Sequence, residues 1–162
     1  MLIAIFFLIA LAIKNFRGDS MKSNIIRYSS ANGEIWAMAT FKVKYCHKIF
    51  NFILVRKACC KLLEKAMQKY NIRYEKIGFD EDHVHIMLEM GLLSKPEIAK
   101  KIKGYSANKL FKLFPWLKKK YFWGSGLWNP AYDIRTHDPG IISRYIDKQK
   151  YAYAGQKTLV SF

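Results

Sequence analysis

The sequence is poor in cysteine, and this shortage narrows the class of protein. Only 3 of the 162 residues are cysteines, and an odd number with two adjacent matches neither a disulfide framework nor a zinc knuckle. They are Cys46, Cys59 and Cys60. This usage indicates a reducing compartment, so we expect a cytoplasmic protein. No internal repeat or low-complexity segment is visible, and a chain of this length holds one domain with a single core.

Acidic residues are also scarce. The chain has 12 aspartates and glutamates against 28 lysines and arginines, which gives a net charge of +16 at pH 7. Such an excess attracts polyanions, so nucleic acid or an anionic membrane surface is the natural partner. Residues 91–120 contain nine lysines and one acid, Glu97; a solvated lysine face is the alternative interpretation. We expect phosphate contacts from Lys44, Lys48, Lys100, Lys101, Lys103, Lys109 and Lys112.

A long apolar run is missing as well. The run at 2–13 has 12 residues and no positive charge before it, whereas a membrane-spanning helix needs about 20 residues. We therefore expect no membrane anchor, and we assign residues 1–35 to an extension outside the fold, with Met1 or Met21 as the working start. The folded domain is expected at 36–154, followed by a tail at 155–162.

Two histidines separated by one apolar residue give the clearest metal-site pattern in the chain. They lie in the strand-like run 82–88. Because alternate side chains of a strand share a face, His83, His85, Met87 and Glu89 point one way and the apolar residues between them point into a core. Two imidazoles at this spacing can chelate a divalent ion. The alternative is a pair of half-buried histidines with ordinary hydrogen bonds.

The first half of the chain alternates between strand and helix patterns. Apolar residues alternate with lysines over 37–45, which predicts a half-buried strand, and helical spacing follows over 55–70. The segment 72–79 predicts a second strand, joined by an acidic turn to the histidine strand. These elements give the order strand, helix, strand, strand.

The second half continues with a helix, a strand and a final helix. Ser94 and Glu97 have the spacing of a capping box, so a long helix is expected to begin there. The segment 127–136 predicts a strand in which Pro130 forces an edge position or a bulge. The whole order predicts an α+β, ferredoxin-like (RRM-like) antiparallel sheet with two helices on one face and an added C-terminal helix.

The final helix has clear start signals. Asp138 is a suitable N-cap, and Pro139 suits the first helical position. Tyr145 and Gln149 are four residues apart, so they are expected to project from the same face of this helix, one turn apart.

The residues quoted so far resemble a known family. His83-Val84-His85 after Asp82, together with Tyr145 and Gln149 near the C-terminus, is similar to the single-tyrosine HUH transposases of small insertion sequences, which move as single-stranded DNA. The similarity covers roughly 41–149, and one departure is Cys46, where the family usually has arginine. Supporting stretches are Lys44-Tyr45-Cys46-His47-Lys48-Ile49-Phe50, Lys103-Gly104-Tyr105-Ser106-Ala107, Leu127-Trp128 and Tyr132.

The resemblance implies a chemistry and a set of roles. His83, His85 and Gln149 would bind a divalent metal, Mg²⁺ or Mn²⁺, and Tyr145 would be the nucleophile that forms a 5′-phosphotyrosine during DNA cleavage and rejoining. Because two neutral imidazoles and an amide carry no negative charge, the metal keeps its positive charge, which stabilises the transition state of a phosphodiester. The partners would be single-stranded DNA with hairpin-bearing ends and a second copy of the chain, whose tyrosine helix acts in cis or in trans.

Other interpretations stay open at this point. A non-catalytic module of the same fold could stack single-stranded bases on Phe41, Tyr45 and Tyr74. A metal-dependent phosphoester hydrolase also uses paired histidines. Competing tyrosine nucleophiles are Tyr132, Tyr151 and Tyr153.

Overall fold

The computed structural model describes residues 35–154. The apolar run at 2–13, the alternative start at Met21 and the tail at 155–162 lie outside the described residues. None of the helices within 35–154 is long and apolar enough to cross a membrane.

Five antiparallel strands form one sheet in the order β4-β1-β3-β2-β5. The first four strands have the order expected of a ferredoxin-like sheet, so the predicted fold class is confirmed. The histidine strand is central, as predicted. The strands are β1 (Trp36–Lys42), β2 (Tyr74–Phe79), β3 (His83–Glu89), β4 (Asp133–Thr136) and β5 (Tyr151–Ala154).

Three longer helices connect these strands, two of them beginning at a recognisable signal, and a short helical segment at 115–122 follows the second. They are α1 (Ile53–Lys69), α2 (Lys95–Leu113) and α3 (Pro139–Asp147). At the start of α2 the Glu97 carboxylate accepts hydrogen bonds from the Ser94 backbone N–H at 2.9 Å and from its hydroxyl at 2.6 Å. At the start of α3 the Asp138 carboxylate accepts from two backbone N–H groups of the first turn. Both predicted caps are confirmed.

The helices lie on opposite faces of the sheet. The main core joins α1 and α2 to the β3 side chains Val84, Ile86 and Leu88. On the other face α3 buries Ile142 and Ile146 against Met87. Because His83 and His85 alternate with the core residues, they lie on the α3 face, as the strand pattern predicted.

Three predicted strand boundaries are wrong, and the smallest error is in the second strand, which begins at Tyr74 and not at residue 72. The first strand ends at Lys42, because the chain turns at Tyr45 and Cys46, which have positive φ angles of 61° and 55°. In the segment predicted as a strand at 127–136, only Asp133–Thr136 is regular. The part before it is held instead by the Lys103 ammonium, which donates to the carbonyl oxygens of Asn129, Pro130 and Ala131.

The last difference is β5, which no sequence pattern indicated. Its four residues pair antiparallel with β2, so that Tyr151 lies opposite Phe79. Through this pairing, the segment that follows α3 becomes an edge strand of the sheet, next to β2 of the same chain.

Candidate active site

The face of β3 beneath α3 brings three ring side chains together. The ring centroids of His83 and His85 lie 4.9 Å apart, and those of His85 and Tyr145 lie 5.1 Å apart, both in edge-on contacts. Tyr145 keeps 47% of its surface exposed. The predicted nucleophile therefore touches one predicted metal ligand and stays open to a substrate.

Hydrogen bonds hold one nitrogen of each histidine. His83 Nδ1 lies 2.7 Å from the Asp82 carboxylate, and His85 Nδ1 lies 2.9 Å from the Thr40 hydroxyl. A carboxylate only accepts, so His83 donates from Nδ1, and in the neutral ring its Nε2 carries the lone pair. Thr40 can donate or accept, and the arrangement in which His85 donates to it leaves the Nε2 lone pair of His85 free. Hydrogen bonds of this kind, made by the ring nitrogen that does not bind the metal, orient histidine ligands in metal sites.

The environment of His85 suits a neutral metal ligand. Burial, with a smaller effect from neighbouring His83, lowers the pKa of His85 to about 4, so the ring is neutral at pH 7. Its Nε2 is buried and has no hydrogen-bond partner among the described residues. A buried nitrogen without a partner is costly unless something binds it. The donor set therefore fits a metal ion bound through the Nε2 atoms of the two histidines.

A third protein ligand would have to come from another kind of side chain, and Gln149 is the predicted one. Within 35–154, no group of three or more histidine, cysteine or carboxylate side chains could hold a metal ion. Gln149 lies just past α3, which ends at Asp147 with Lys148 as its C-cap, so the prediction that Gln149 belongs to the helix is wrong by about half a turn. Its amide nitrogen lies 3.5 Å from the Tyr145 carbonyl oxygen, which keeps it one turn from the nucleophile.

Gly78 of β2 sets how closely α3 approaches the histidines. It is the cross-strand partner of His85. A Cβ at this position would lie 2.8 Å from Cγ2 of Ile146 and 3.1 Å from Cγ of Gln149. The missing side chain thus lets the end of α3 and Gln149 rest on the sheet beside His85.

Polar contacts and β5 secure the end of α3. The Lys76 ammonium donates to both carboxylate oxygens of Asp147, at 2.8 and 2.7 Å. Hydrogen bonds from Lys150 and Lys48 lower the pKa of Glu81 to about 2. The Lys76 contact ties β2, and the Lys150 contact ties the turn between β2 and β3, to the segment that carries Tyr145 and Gln149.

The predicted phosphate-binding lysines lie in different surroundings. Lys100, Lys109 and Lys112 are exposed on α2, which packs on the sheet face opposite the histidines. Lys103 is engaged with three carbonyl oxygens, and burial lowers its pKa, so we expect it to contribute less to phosphate binding than its neighbours. The remaining three lie near aromatic rings or an acid, namely Lys44 at Tyr45, Lys48 at Glu81 and Lys101 at Tyr70.

The geometry gives little support to base stacking on the sheet or to another tyrosine as the nucleophile. Phe41 is completely buried, so it cannot stack a base on the sheet. The Tyr151 ring lies under the Arg56 guanidinium, whose carbon is 3.4 Å from the ring centroid, and packs against the main core. Tyr132 is exposed, and the Lys103 ammonium lies 5.9 Å from its ring centroid.

Sequence reasoning did not find Thr40 or Gly78. Each acts through its strand partner, because Thr40 and Gly78 both lie opposite His85 on neighbouring strands. A lone threonine or glycine in a strand carries no such signal until the register is known. Asp82 was predicted only as part of the turn before the histidine strand, and its hydrogen bond to His83 is an additional role.

Comparisons with known proteins add a family match and one partial relative. The family model described as "Transposase IS200 like" matches residues 33–149, which is more than half of the chain. The ISDra2 transposase TnpA of Deinococcus radiodurans is 40% identical over 72 residues, a match that covers 42% of this chain and 51% of the relative. The chain thus spans about half the length of this curated relative.

Solved structures give likeness of fold. A protein of Deinococcus radiodurans whose crystal structure bears a provisional transposase name has a TM-score of 0.62 and 24% identity, over 76% of this chain and 96% of that chain. A REP-associated tyrosine transposase bound to a REP hairpin has a TM-score of 0.48 and 11% identity, over 75% of this chain and 68% of that chain. The first of these supports the fold.

Proposed function

Since the chain belongs to the IS200-like transposase family, we propose that it cleaves and rejoins single-stranded DNA by transesterification, with Tyr145 as the nucleophile. The observation that carries the proposal is the edge-on contact of Tyr145 with His85, which in turn contacts His83. A solvent-accessible phenol beside two imidazoles with free Nε2 atoms can meet a phosphodiester and a metal ion at one place. The substrate is proposed to be the hairpin-bearing ends of a mobile element.

The reaction exchanges one phosphate ester for another. The Tyr145 oxygen bonds to phosphorus as the bond from phosphorus to the 3′ oxygen breaks; the phenol loses its proton and the 3′ oxygen gains one. A 5′-phosphotyrosine and a free 3′-hydroxyl result, and the retained ester energy allows a later 3′-hydroxyl to reverse the step without a nucleotide cofactor.

His83, His85 and Gln149 are the residues that would hold Mg²⁺ or Mn²⁺. The ion would supply positive charge to the phosphate oxygens on which negative charge accumulates. Asp82 and Thr40 orient the two rings, and α3 positions the phenol. Because the described site has no carboxylate ligand, the charge of the ion would remain undiminished.

Covalent capture tests this function. The chain is incubated with Mg²⁺ and overlapping single-stranded oligonucleotides that cover the DNA on both sides of its gene, and the products are separated on a denaturing gel. We expect a metal-dependent DNA–protein adduct that mass spectrometry maps to Tyr145. Free cleavage without an adduct would instead indicate a hydrolase.

Replacing Thr40 by valine tests the proposed metal site through its metal affinity, so no catalytic measurement is needed. His85 Nδ1 would lose its hydroxyl partner at 2.9 Å, so the ring would lose its orientation, and loss of such a contact lowers metal affinity about 10- to 100-fold. Calorimetric titration with Mn²⁺ measures the change. Thr136→Val, at an exposed position of β4, is the control. An unchanged affinity in Thr40→Val would mean that the Thr40 hydroxyl does not orient His85 for metal binding.

We propose that the working unit is a homodimer, because two DNA ends must be cut and exchanged, whereas residues 35–154 of each chain offer one such site. Closed two-fold pairing is the commonest assembly of soluble proteins. Light scattering should give twice the 19.0 kDa of one chain; a monomer in the presence of DNA would contradict the proposal.

Mixing Tyr145→Phe with His83→Ala protein then shows which subunit's histidines α3 works with. Regained activity means that α3 serves the partner's sheet, and continued inactivity means that it serves its own.

A further inference from the structure

A chain of aromatic rings lies on the surface beyond the site. We call it the aromatic surface and define it by Tyr45, His47, Phe52, Trp116 and Tyr121. Neighbouring ring centroids lie 5.8 Å apart from Tyr45 to His47, 5.2 Å from His47 to Tyr121, 6.4 Å from Tyr121 to Phe52 and 5.5 Å from Phe52 to Trp116. Tyr45 is 61% exposed, and Phe52 and Trp116 are each 42% exposed. So much exposed aromatic area in one place calls for a partner.

The two segments that build the aromatic surface carry charge of one sign, and the acid that pairs with one of their lysines is Glu81, 2.8 Å from Lys48. The two segments that build the aromatic surface, 43–52 and 115–123, contain five lysines and no acid. The Lys44 ammonium lies 5.1 Å from the Tyr45 centroid, and the Lys120 ammonium lies 5.4 Å from the Tyr121 centroid. A protein partner would need a matching acidic rim, whereas single-stranded nucleic acid offers phosphates and flat bases together.

Backbone conformation is unusual at the same place. Four non-glycine residues within 35–154 have positive φ, and three of them, Tyr45, Cys46 and Trp123, lie in the two segments of the aromatic surface. Such conformations are unfavourable for bulky residues and cluster at functional sites. Tyr45 combines a positive φ with a ring that is largely exposed to solvent.

The aromatic surface begins at the end of the sheet where His83 lies. Lys42, the last residue of β1, pairs with His83, and the next residue, Val43, donates its N–H to the Asp82 carbonyl oxygen at 2.8 Å. Tyr45 follows two positions later. A DNA strand that leaves the Tyr145 site toward this end of the sheet would reach Tyr45 first.

We propose that the aromatic surface binds unpaired bases of single-stranded DNA by stacking, while Lys44 and Lys120 contact the adjoining phosphates. The inference rests on the proposed function, because it takes the cleaved DNA as its ligand. It assigns the stacking to a loop and a helical turn at the end of the sheet, and not to the face of the sheet.

The test compares a thymidine oligonucleotide of about 12 residues with an abasic oligonucleotide of the same length, bound to the full chain in EDTA so that no chemistry intervenes. Fluorescence anisotropy should show that the intact chain binds the thymidine strand about tenfold more tightly. Tyr45→Asn and Trp116→Leu should each remove most of this preference and leave the salt dependence unchanged. The double variant Lys44→Gln, Lys120→Gln should make the slope of log affinity against log salt less steep by about 1.4.

Tyr45→Asn also guards against a folding artefact. Asparagine tolerates a positive φ better than tyrosine, so this variant should melt at the same temperature or higher while binding DNA less tightly. Leu92→Ser, at a 75% exposed position past the opposite end of β3, is the control that should change neither property.

The outcomes separate the two proposals. Equal binding of the thymidine and abasic strands by the intact chain overturns the stacking inference but not the proposed function. Base-dependent binding without an adduct overturns the function alone. If Trp116→Leu changes the oligomeric mass and leaves DNA affinity unaltered, the aromatic surface is a subunit contact and the inference fails.

Discussion

Replacing Tyr145 by phenylalanine is expected to lower covalent adduct formation by at least about a thousandfold, to the detection limit, while DNA affinity stays within about twofold. The substitution removes one oxygen and keeps the ring, so the edge-on contact with His85 at 5.1 Å persists. The lost atom is the one that would bond to phosphorus. Single-turnover labelling with radioactive oligonucleotide measures the adduct.

The controls are the tyrosines that compete for the same role. Tyr132→Phe and Tyr151→Phe remove a hydroxyl elsewhere and should leave the adduct yield unchanged. Tyr151 is held by cation–π contact with Arg56 and by pairing in β5, which leaves its ring little freedom to approach a phosphate. An adduct that persists in Tyr145→Phe would move the nucleophile to another tyrosine and remove the basis of the proposed function.

The architecture around β3 was accessible from the sequence because its signals are local. Alternation in the histidine strand assigns one face to the core, and the Asp138-Pro139 pair marks the start of α3 whatever lies elsewhere in the chain. Each of these features depends on residues within about one turn or one strand. They were sufficient to place His83 and His85 on the face of β3 away from the core and Tyr145 on a final helix, whereas the meeting of that helix with the histidines was implied only by the family resemblance.

The features that sequence reasoning missed depend on contacts between distant segments. Apolar alternation continues past Lys42 to Tyr45. Periodicity alone therefore could not show that β1 ends just before Val43, whose N–H donates a hydrogen bond to the Asp82 carbonyl oxygen. β5 has four residues, and its partner β2 lies more than 70 positions earlier. The contacts of Thr40 with His85 and of Gly78 with Gln149 follow from strand register and helix docking, which composition does not encode.

Replacing Gly78 by alanine is expected to lower the rate of adduct formation by roughly 100-fold, because a displacement of about 1 Å at a reacting group has an effect of that size. The new Cβ would lie 2.8 Å from Cγ2 of Ile146, and β-branched side chains have little rotamer freedom in a helix. The helix α3 must therefore move away from the sheet and carry Tyr145 away from His85.

The same substitution should also reduce stability. Overpacking of a well-filled contact costs about 1–3 kcal/mol. On the sheet face opposite the main core, α3 is held by a small cluster of Met87, Ile142 and Ile146, and burial of each isoleucine contributes only about 1.5–3 kcal/mol. Urea unfolding measures the loss, while single-stranded DNA affinity in EDTA should change little.

Gly104→Ala is the matched control for Gly78→Ala, because it adds the same atom where nothing lies within 4 Å. Gly104 lies inside α2, where alanine is favoured over glycine by about 0.5–1 kcal/mol, so this variant should be more stable and equally active. The Gly78 test does not depend on whether α3 serves its own sheet or a partner's, since either sheet presents Gly78 to it. A Gly78→Ala protein that forms the adduct at the unaltered rate would mean that α3 leaves β2 before Tyr145 reacts.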